Sequence, residues 1–225
     1  MNALPHALVT GASSGIGAAI VERLLRDGWR VTGISRGPAM FDNPAFQHLT
    51  LDLSDVEAIA GAVAGLTPTA LVHAAGFLRV GRLGELSHDD GAAMWRLHVD
   101  AAERLANTLA PLLPPSGRIV FIGSRTASGA AGRGQYAASK AALVAMARSW
   151  AAELAPRGIT VNVVAPGIIA GRMADGAFDA DQIKQRVPAA RIGTPQEVAA
   201  LIAFLCSERA GYINGQVIGV NGGMG

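Results

Sequence analysis

Seven short apolar runs, separated by longer stretches with helical periodicity, constrain this chain more than any other feature. The runs lie at 7–10, 30–34, 48–53, 70–74, 118–123, 160–165 and 216–220, and most are continuous rather than alternating. Continuous apolar strands are buried on both faces, which is the situation of a parallel sheet covered by helices. Helical patterns fall between them at 15–26, 55–64, 89–113, 135–155 and 195–207. The last opens on Thr194 with Glu197 three residues on, the signature of a capping box. Strand and helix alternating through the whole length predict one α/β domain over 1–225, a doubly wound, Rossmann-like parallel sheet of about seven strands. The segment 168–187 breaks the pattern, with Gly171, Gly176 and two Asp-Ala pairs, and is expected to be a mobile loop with a short helix that covers the substrate. An ordinary surface connection is the other reading.

Composition excludes several classes of function. Half of the 225 residues are hydrophobic, so the chain has enough apolar material for one sizeable core. Charged residues are only 16% of the chain, the formal charge is +2 and no Lys/Arg run occurs, so nucleic acid is not the expected partner. The single Cys206 rules out an internal disulfide and reads as a small buried hydrophobe, while five scattered histidines lack ligand spacing, so no metal site is expected. No uncharged apolar run approaches the roughly 18 residues of a membrane span, and no secretory pattern precedes the first strand. A soluble, cytoplasmic protein with no membrane partner is expected.

The first strand runs into Thr10-Gly11-Ala-Ser13-Ser14-Gly15-Ile16-Gly17, which opens the first helix. There a tight glycine turn lets backbone amides and a helix N-terminus meet a pyrophosphate. The spacing GxxxGxG departs from the GxGxxG fingerprint, and its placement between strand and helix gives it weight. The second strand ends in Ser35-Arg36, where an acidic residue would favour an unphosphorylated ribose. Without that carboxylate a 2′-phosphate meets no repulsion, and Arg36 offers it a guanidinium fork, so NADP(H) is favoured and NAD(H) remains possible. Farther on, Tyr136 and Lys140 stand four residues apart, on one face of the fourth helical stretch. A lysine beside a tyrosine is expected to lower the phenol's pKa and to let it exchange protons near neutral pH.

Taken together, Gly11-x-x-x-Gly15-x-Gly17, Asp52-Leu53, Ala74-Ala75-Gly76, Ser124, Tyr136-x-x-x-Lys140 and Pro166-Gly167 resemble the short-chain dehydrogenase/reductase family over nearly the whole chain. The stretch from 187 to 223 is similar to the 3-oxoacyl-carrier-protein reductase branch. The resemblance implies that Ser124 hydrogen-bonds the substrate oxygen, Tyr136 exchanges its proton, and Lys140 binds the nicotinamide ribose. It also places Asp52 and Leu53 at the adenine, Ala75 and Gly76 at the ribose, and Pro166, Gly167 and Ile169 at the nicotinamide face. Residue by residue, simpler readings stand beside these: Asp52 as a turn residue ahead of Ser54, and Pro166-Gly167 as a strand-ending turn.

Three departures from the family pattern matter. Ser124 lies twelve residues before Tyr136, where the family more often shows thirteen, so Thr126 or Ser128 competes for its role. The usual Asn-Asn-Ala-Gly reads His73-Ala74-Ala75-Gly76, and the lost amides are expected to cost sheet-stabilising hydrogen bonds. His98 stands where the family usually has a fourth catalytic residue, asparagine, with two readings: a pH-sensitive imidazole in the site, or a hydrogen-bonded core histidine. Trp95 and Trp150 read as core or interface residues, and the small faces at Ala101-Ala102 and Ala141-Ala142-Ala145 lead to an expected homodimer or homotetramer. The implied activity is an NADP(H)-dependent oxidoreductase acting on a small or acyl-type carbonyl or alcohol substrate. The alternatives are an epimerase or dehydratase of the same fold, and a nucleotide-binding regulator with little catalysis.

Overall fold

Alternate residues of each central strand face opposite helical layers, and this period of two builds both halves of the core. In the computed structural model, which describes residues 4–171 and 179–225, the strands are β1 (His6–Thr10), β2 (Arg30–Ser35), β3 (Phe46–Thr50), β4 (Ala70–His73), β5 (Arg118–Ile122), β6 (Thr160–Pro166) and β7 (Val217–Val220). All pair in parallel, in the order β3-β2-β1-β4-β5-β6-β7. Ala7, Val9, Val72 and Val120 pack against α1 (Gly15–Arg26) and α7 (Pro195–Cys206), through Ile20, Leu24, Val198 and Ile202. Their neighbours Leu8, Leu71, Phe121 and Val163 face the other layer: α2 (Val56–Ala62), α4 (Ala101–Leu109) and α5 (Gly134–Leu154). Each fully buried Leu, Ile or Phe contributes roughly 1.5–3 kcal/mol relative to exposure, so these two layers supply most of the folding drive.

The observed order reverses between β1 and β4, and the crevice at that switch point, outside the carboxyl ends of the strands, is where such sheets bind ligands. Differences from expectation occur at the edges. β3 runs over 46–50 rather than 48–53, because Phe46 already pairs with Val31, while Asp52 leaves the ladder in a turn whose side chain accepts the Ser54 N–H. The helix expected over 89–113 is three pieces: α3 (His88–Trp95), a π turn (Arg96–Asp100) and α4. In the π turn the Ala101 N–H bonds the Arg96 carbonyl five residues back.

The Thr194–Glu197 capping box is present with both of its bonds. A second box, Asp179 with Gln182, starts α6 (Ala180–Arg186) within the segment expected to be a loop with a short helix. Met173 and Phe178 of that segment lie outside the described residues, whereas Ile183 and Val187 pack on Met224 and Ile168. Trp95 stands 44% exposed rather than in the core, and Trp150 packs edge-on to Phe121. Among the described residues no helix is long and apolar enough to cross a membrane.

Candidate active site

The glycine-rich turn is shaped by two close approaches. Gly11 has φ +67, and a Cβ there would come within 2.9 Å of the Ala75 nitrogen, so only glycine lets β1 end against the loop after β4. At Gly17 a Cβ would run into the Gly11 carbonyl, which holds the start of α1 tightly against the turn. The N-cap residue Ser14 makes no side-chain bond to the helix start, leaving the first amides of α1, at Gly15, Ile16 and Gly17, uncapped by it. An uncapped helix N-terminus over a glycine turn fits a pyrophosphate, and Ser13 and Ser14 flank it. The residues present therefore fit a dinucleotide.

At the next strand end, Ser35 is almost buried, its hydroxyl donating to the Gly37 carbonyl and bonded to His48 Nε2 at 2.9 Å. Arg36 extends into solvent, 79% exposed, with Nη1 3.9 Å from Asp52 Oδ2. Its guanidinium is thus free enough to meet an anion at this corner. Asp52 performs the turn function expected of it as well as facing Arg36, and Leu53 is buried beneath. At the far side, Gly167 donates its N–H to the Val220 carbonyl, and Ile169 bridges to Gly193. Pro166, Gly167 and Ile169 thus lie at the carboxyl end of β6, beside a cleft lined by Ile168, Val187, Arg191 and Asn221.

Ser124, Tyr136 and Lys140 converge. Ser124 leaves the end of β5, accepts the Thr126 N–H at 3.1 Å and lies close enough to the Tyr136 phenol to favour its ionised form. Thr126, 4% exposed, instead bonds Ser124 itself at 2.9 Å, and Ser128 turns back to the Arg125 carbonyl, so of the three hydroxyls Ser124 is the one that acts on the phenol. Lys140, 3% exposed, donates from Nζ to the Ile122 carbonyl at 2.8 Å, and its nitrogen lies 5.9 Å from the centre of the Tyr136 ring.

Burial, rather than the neighbouring ammonium, dominates the ionisation of this pair. It raises the Tyr136 phenol, against smaller lowering effects of Ser124 and of Arg133, and it pulls Lys140 down to about 7. The expected lowering of the phenol is therefore corrected. An ammonium that is itself desolvated and loses its proton near neutrality offers little charge to stabilise a phenolate.

The two histidines at substituted positions are both hydrogen-bonded. His73, fully buried, bonds Thr10 Oγ1 through Nδ1 at 3.0 Å and the Leu97 carbonyl through Nε2 at 3.1 Å. Its ring supplies links across the switch point in place of one of the two lost amides, while the methyl of Ala74 supplies none in place of the other. His98, also fully buried, bonds Ser139 Oγ through Nδ1 and the Phe77 N–H through Nε2. Sequence reasoning missed Thr10, Ser139 and His48 as polar partners around the site. The signal for Thr10 and Ser139 was the pair of histidines at amide positions, since a larger polar group buried there must find new partners.

A profile described as enoyl-(acyl carrier protein) reductase matches residues 11–225. The chain is 37% identical to the 3-oxoacyl-[acyl-carrier-protein] reductase FabG of Salmonella typhimurium, covering 97% of this chain and 96% of that one. It is 37% identical to the reductase MabA of Mycobacterium bovis, over 97% and 92% of the two chains. It belongs to the short-chain dehydrogenase/reductase family. As a member it is an oxidoreductase acting on CH–OH and C=O groups with a nicotinamide cofactor. Among solved structures, a variant short-chain dehydrogenase/reductase from Serratia marcescens aligns with TM-score 0.91 and 34% identity, over 98% of this chain and 97% of that one. A blue fluorescent protein from a metagenomic library, solved in complex with NADPH, aligns with TM-score 0.87 and 32% identity, again over 98% and 97%.

Proposed function

We propose that this protein is an NADP(H)-dependent reductase or alcohol dehydrogenase in which Tyr136 moves the proton. The observation carrying the proposal is the convergence of Ser124, at the carboxyl end of β5, with Tyr136 and Lys140 of α5. When bound, the nicotinamide supplies or accepts the hydride. Ser124 orients the substrate oxygen, and Tyr136 gives that oxygen a proton as the carbonyl is reduced, or takes it in the reverse direction. Lys140 holds the cofactor ribose and keeps a cation near the phenol in the protonated state. Arg36 receives the 2′-phosphate, and the 168–187 segment covers a small or acyl-type substrate. The FabG and MabA relatives support a 3-oxoacyl thioester as the first substrate to test. A homo-oligomeric, cytoplasmic protein completes the reading; light scattering at micromolar concentration that returned a monomeric mass would remove the assembly.

The deciding experiment follows reduced-nicotinamide absorbance with a panel of ketones and acyl thioesters. Net oxidation is expected with wild type and its loss with Tyr136→Phe, while cofactor binding persists. Binding without oxidation by wild type across the whole panel would favour an epimerase, a dehydratase or a nucleotide-binding regulator. Arg36→Ala should raise KM for NADPH and leave KM for NADH unchanged; unchanged NADPH kinetics would remove the 2′-phosphate assignment.

A further inference from the structure

Two buried histidines stand behind the candidate site, and their partners determine which nitrogen of each carries the proton. The Ser139 hydroxyl donates to the Tyr136 carbonyl at 2.8 Å, so its lone pair receives the proton of His98 Nδ1, 2.9 Å away. His98 Nε2 is then an acceptor, and it takes the Phe77 N–H at 3.1 Å. On the other ring, Thr10 Oγ1 accepts the N–H groups of Ala74 and Ala75, both at 3.0 Å, and so directs its own proton at His73 Nδ1. His73 keeps its proton on Nε2 and donates it to the Leu97 carbonyl. Leu97 precedes His98 in the π turn, so each histidine is held through the same distorted segment of helix.

The imidazole of His98 also fills a particular space. A Cβ placed on Gly76 would lie 3.0 Å from His98 Nε2 and 3.4 Å from Lys140 Nζ, so ring, loop backbone and ammonium meet around one point. The Tyr136 ring stands edge-on to His98, with centroids 5.6 Å apart. The ionisable groups around His98 are Lys140 and Tyr136 from α5 and His73 from β4; the loop after β4 presents it with a backbone amide and the Phe77 ring. Burial and the Lys140 charge both oppose a second proton on the ring.

We propose that His98 is a positioning residue: a neutral imidazole that ties the Gly76–Phe77 backbone, on the cofactor side, to the Ser139 turn of α5 that carries Tyr136 and Lys140. His73 anchors the π turn that carries His98 to Thr10 at the end of β1. This rests on the proposed reductase activity for its kinetic consequences, but not for the protonation it assigns.

Two substitutions separate the two links. Asparagine at 98 keeps a donor near the Nδ1 position and is too short to reach Phe77. Glutamine reaches the Nε2 position and gives up Ser139. His98→Asn is expected to raise the cofactor KM about tenfold with kcat within about twofold, and His98→Gln to lower kcat about tenfold with a smaller change in KM, as loss of one buried hydrogen bond allows. Equal changes in both constants for the two folded variants would reveal a merely structural ring and overturn the proposal. Histidine ring 15N NMR on the wild-type protein provides a test independent of both turnover and variant folding. The expected spectrum has His98 as the Nδ1–H tautomer and His73 as the Nε2–H tautomer from about pH 5 to 8, where a free imidazole would titrate. The opposite tautomer, or an imidazolium at neutral pH, would overturn it. Should no substrate be turned over, the activity assignment fails alone: the tautomers, and a cofactor Kd raised by His98→Asn but not by His98→Gln, still test the positioning role.

Discussion

Thr10 offers the most direct test of how the two halves of the sheet are joined. Its side chain is fully buried, and its one hydroxyl serves three partners: the amides of Ala74 and Ala75 and the ring of His73. Thr10→Val keeps the shape and removes all three bonds. The His73 nitrogen is fully enclosed and the two amides are partly so; at about 1–3 kcal/mol for each fully buried group left unpaired, and less for the partly exposed pair, the loss is about 3 kcal/mol. For a domain of this size that corresponds to a fall in Tm of about 6–12 °C. Thr10→Ser retains the hydroxyl, loses one methyl and should cost only about 1 kcal/mol. Urea unfolding followed by circular dichroism measures both. If valine cost less than about 1 kcal/mol, or no more than serine, the hydroxyl would not be the junction that its geometry describes.

Other outcomes follow from the buried ionisable groups. His73 is pushed down to about 3 and His98 to about 2, whereas both titrate near 6.5 when unfolded, so the unfolded chain binds more protons below that pH. Stability should fall as pH drops from about 6.5 toward 3, by up to roughly 1.4 kcal/mol per pH unit for each ring, and His73→Asn should flatten the slope in urea titrations. Lys140 is pulled to about 7 by burial, so between there and the usual lysine range the unfolded chain again holds the extra proton. Stability should therefore rise with pH through that window, and Lys140→Met should remove the rise while abolishing turnover. The Cys206 thiol, 4% exposed and pushed up to about 12, should resist iodoacetamide in the native protein and react in urea; rapid native labelling, read by mass spectrometry, would contradict its burial.

The central strands were legible because burial on both faces writes an uninterrupted apolar run, and the Thr194 box because capping is local chemistry. β3 starts two residues and ends three residues earlier than expected: as an edge strand it is only partly covered, so its apolar pattern does not mark where pairing stops. The convergence of Ser124, Tyr136 and Lys140 could be anticipated from strand ends and helical spacing. The direction of the phenol's shift could not, since it depends on how completely the site excludes water. Nor could the bonds of His73 and His98, whose partners come from positions 10, 77, 97 and 139. A one-dimensional pattern announces an unusual residue; only the fold supplies what it touches.

The π turn between α3 and α4 has a consequence for how the molecule can be altered. Each residue of an ordinary helix advances about 100° around its axis, so the wide turn works as a phase shifter between two helical segments. α4 keeps Ala101, Ala102, Leu105, Ala106 and Leu109 on the core, while α3, upstream, buries only Met94 and leaves Trp95 outside. Deleting one residue from 96–100 would regularise the helix and rotate everything before it by about a quarter turn, carrying α3 and its preceding loop to a new heading over the crevice. Loop grafts between β4 and α4 therefore have to conserve residue count as well as sequence, and one-residue insertions or deletions there are a route by which a relative could redirect its substrate approach without disturbing the sheet.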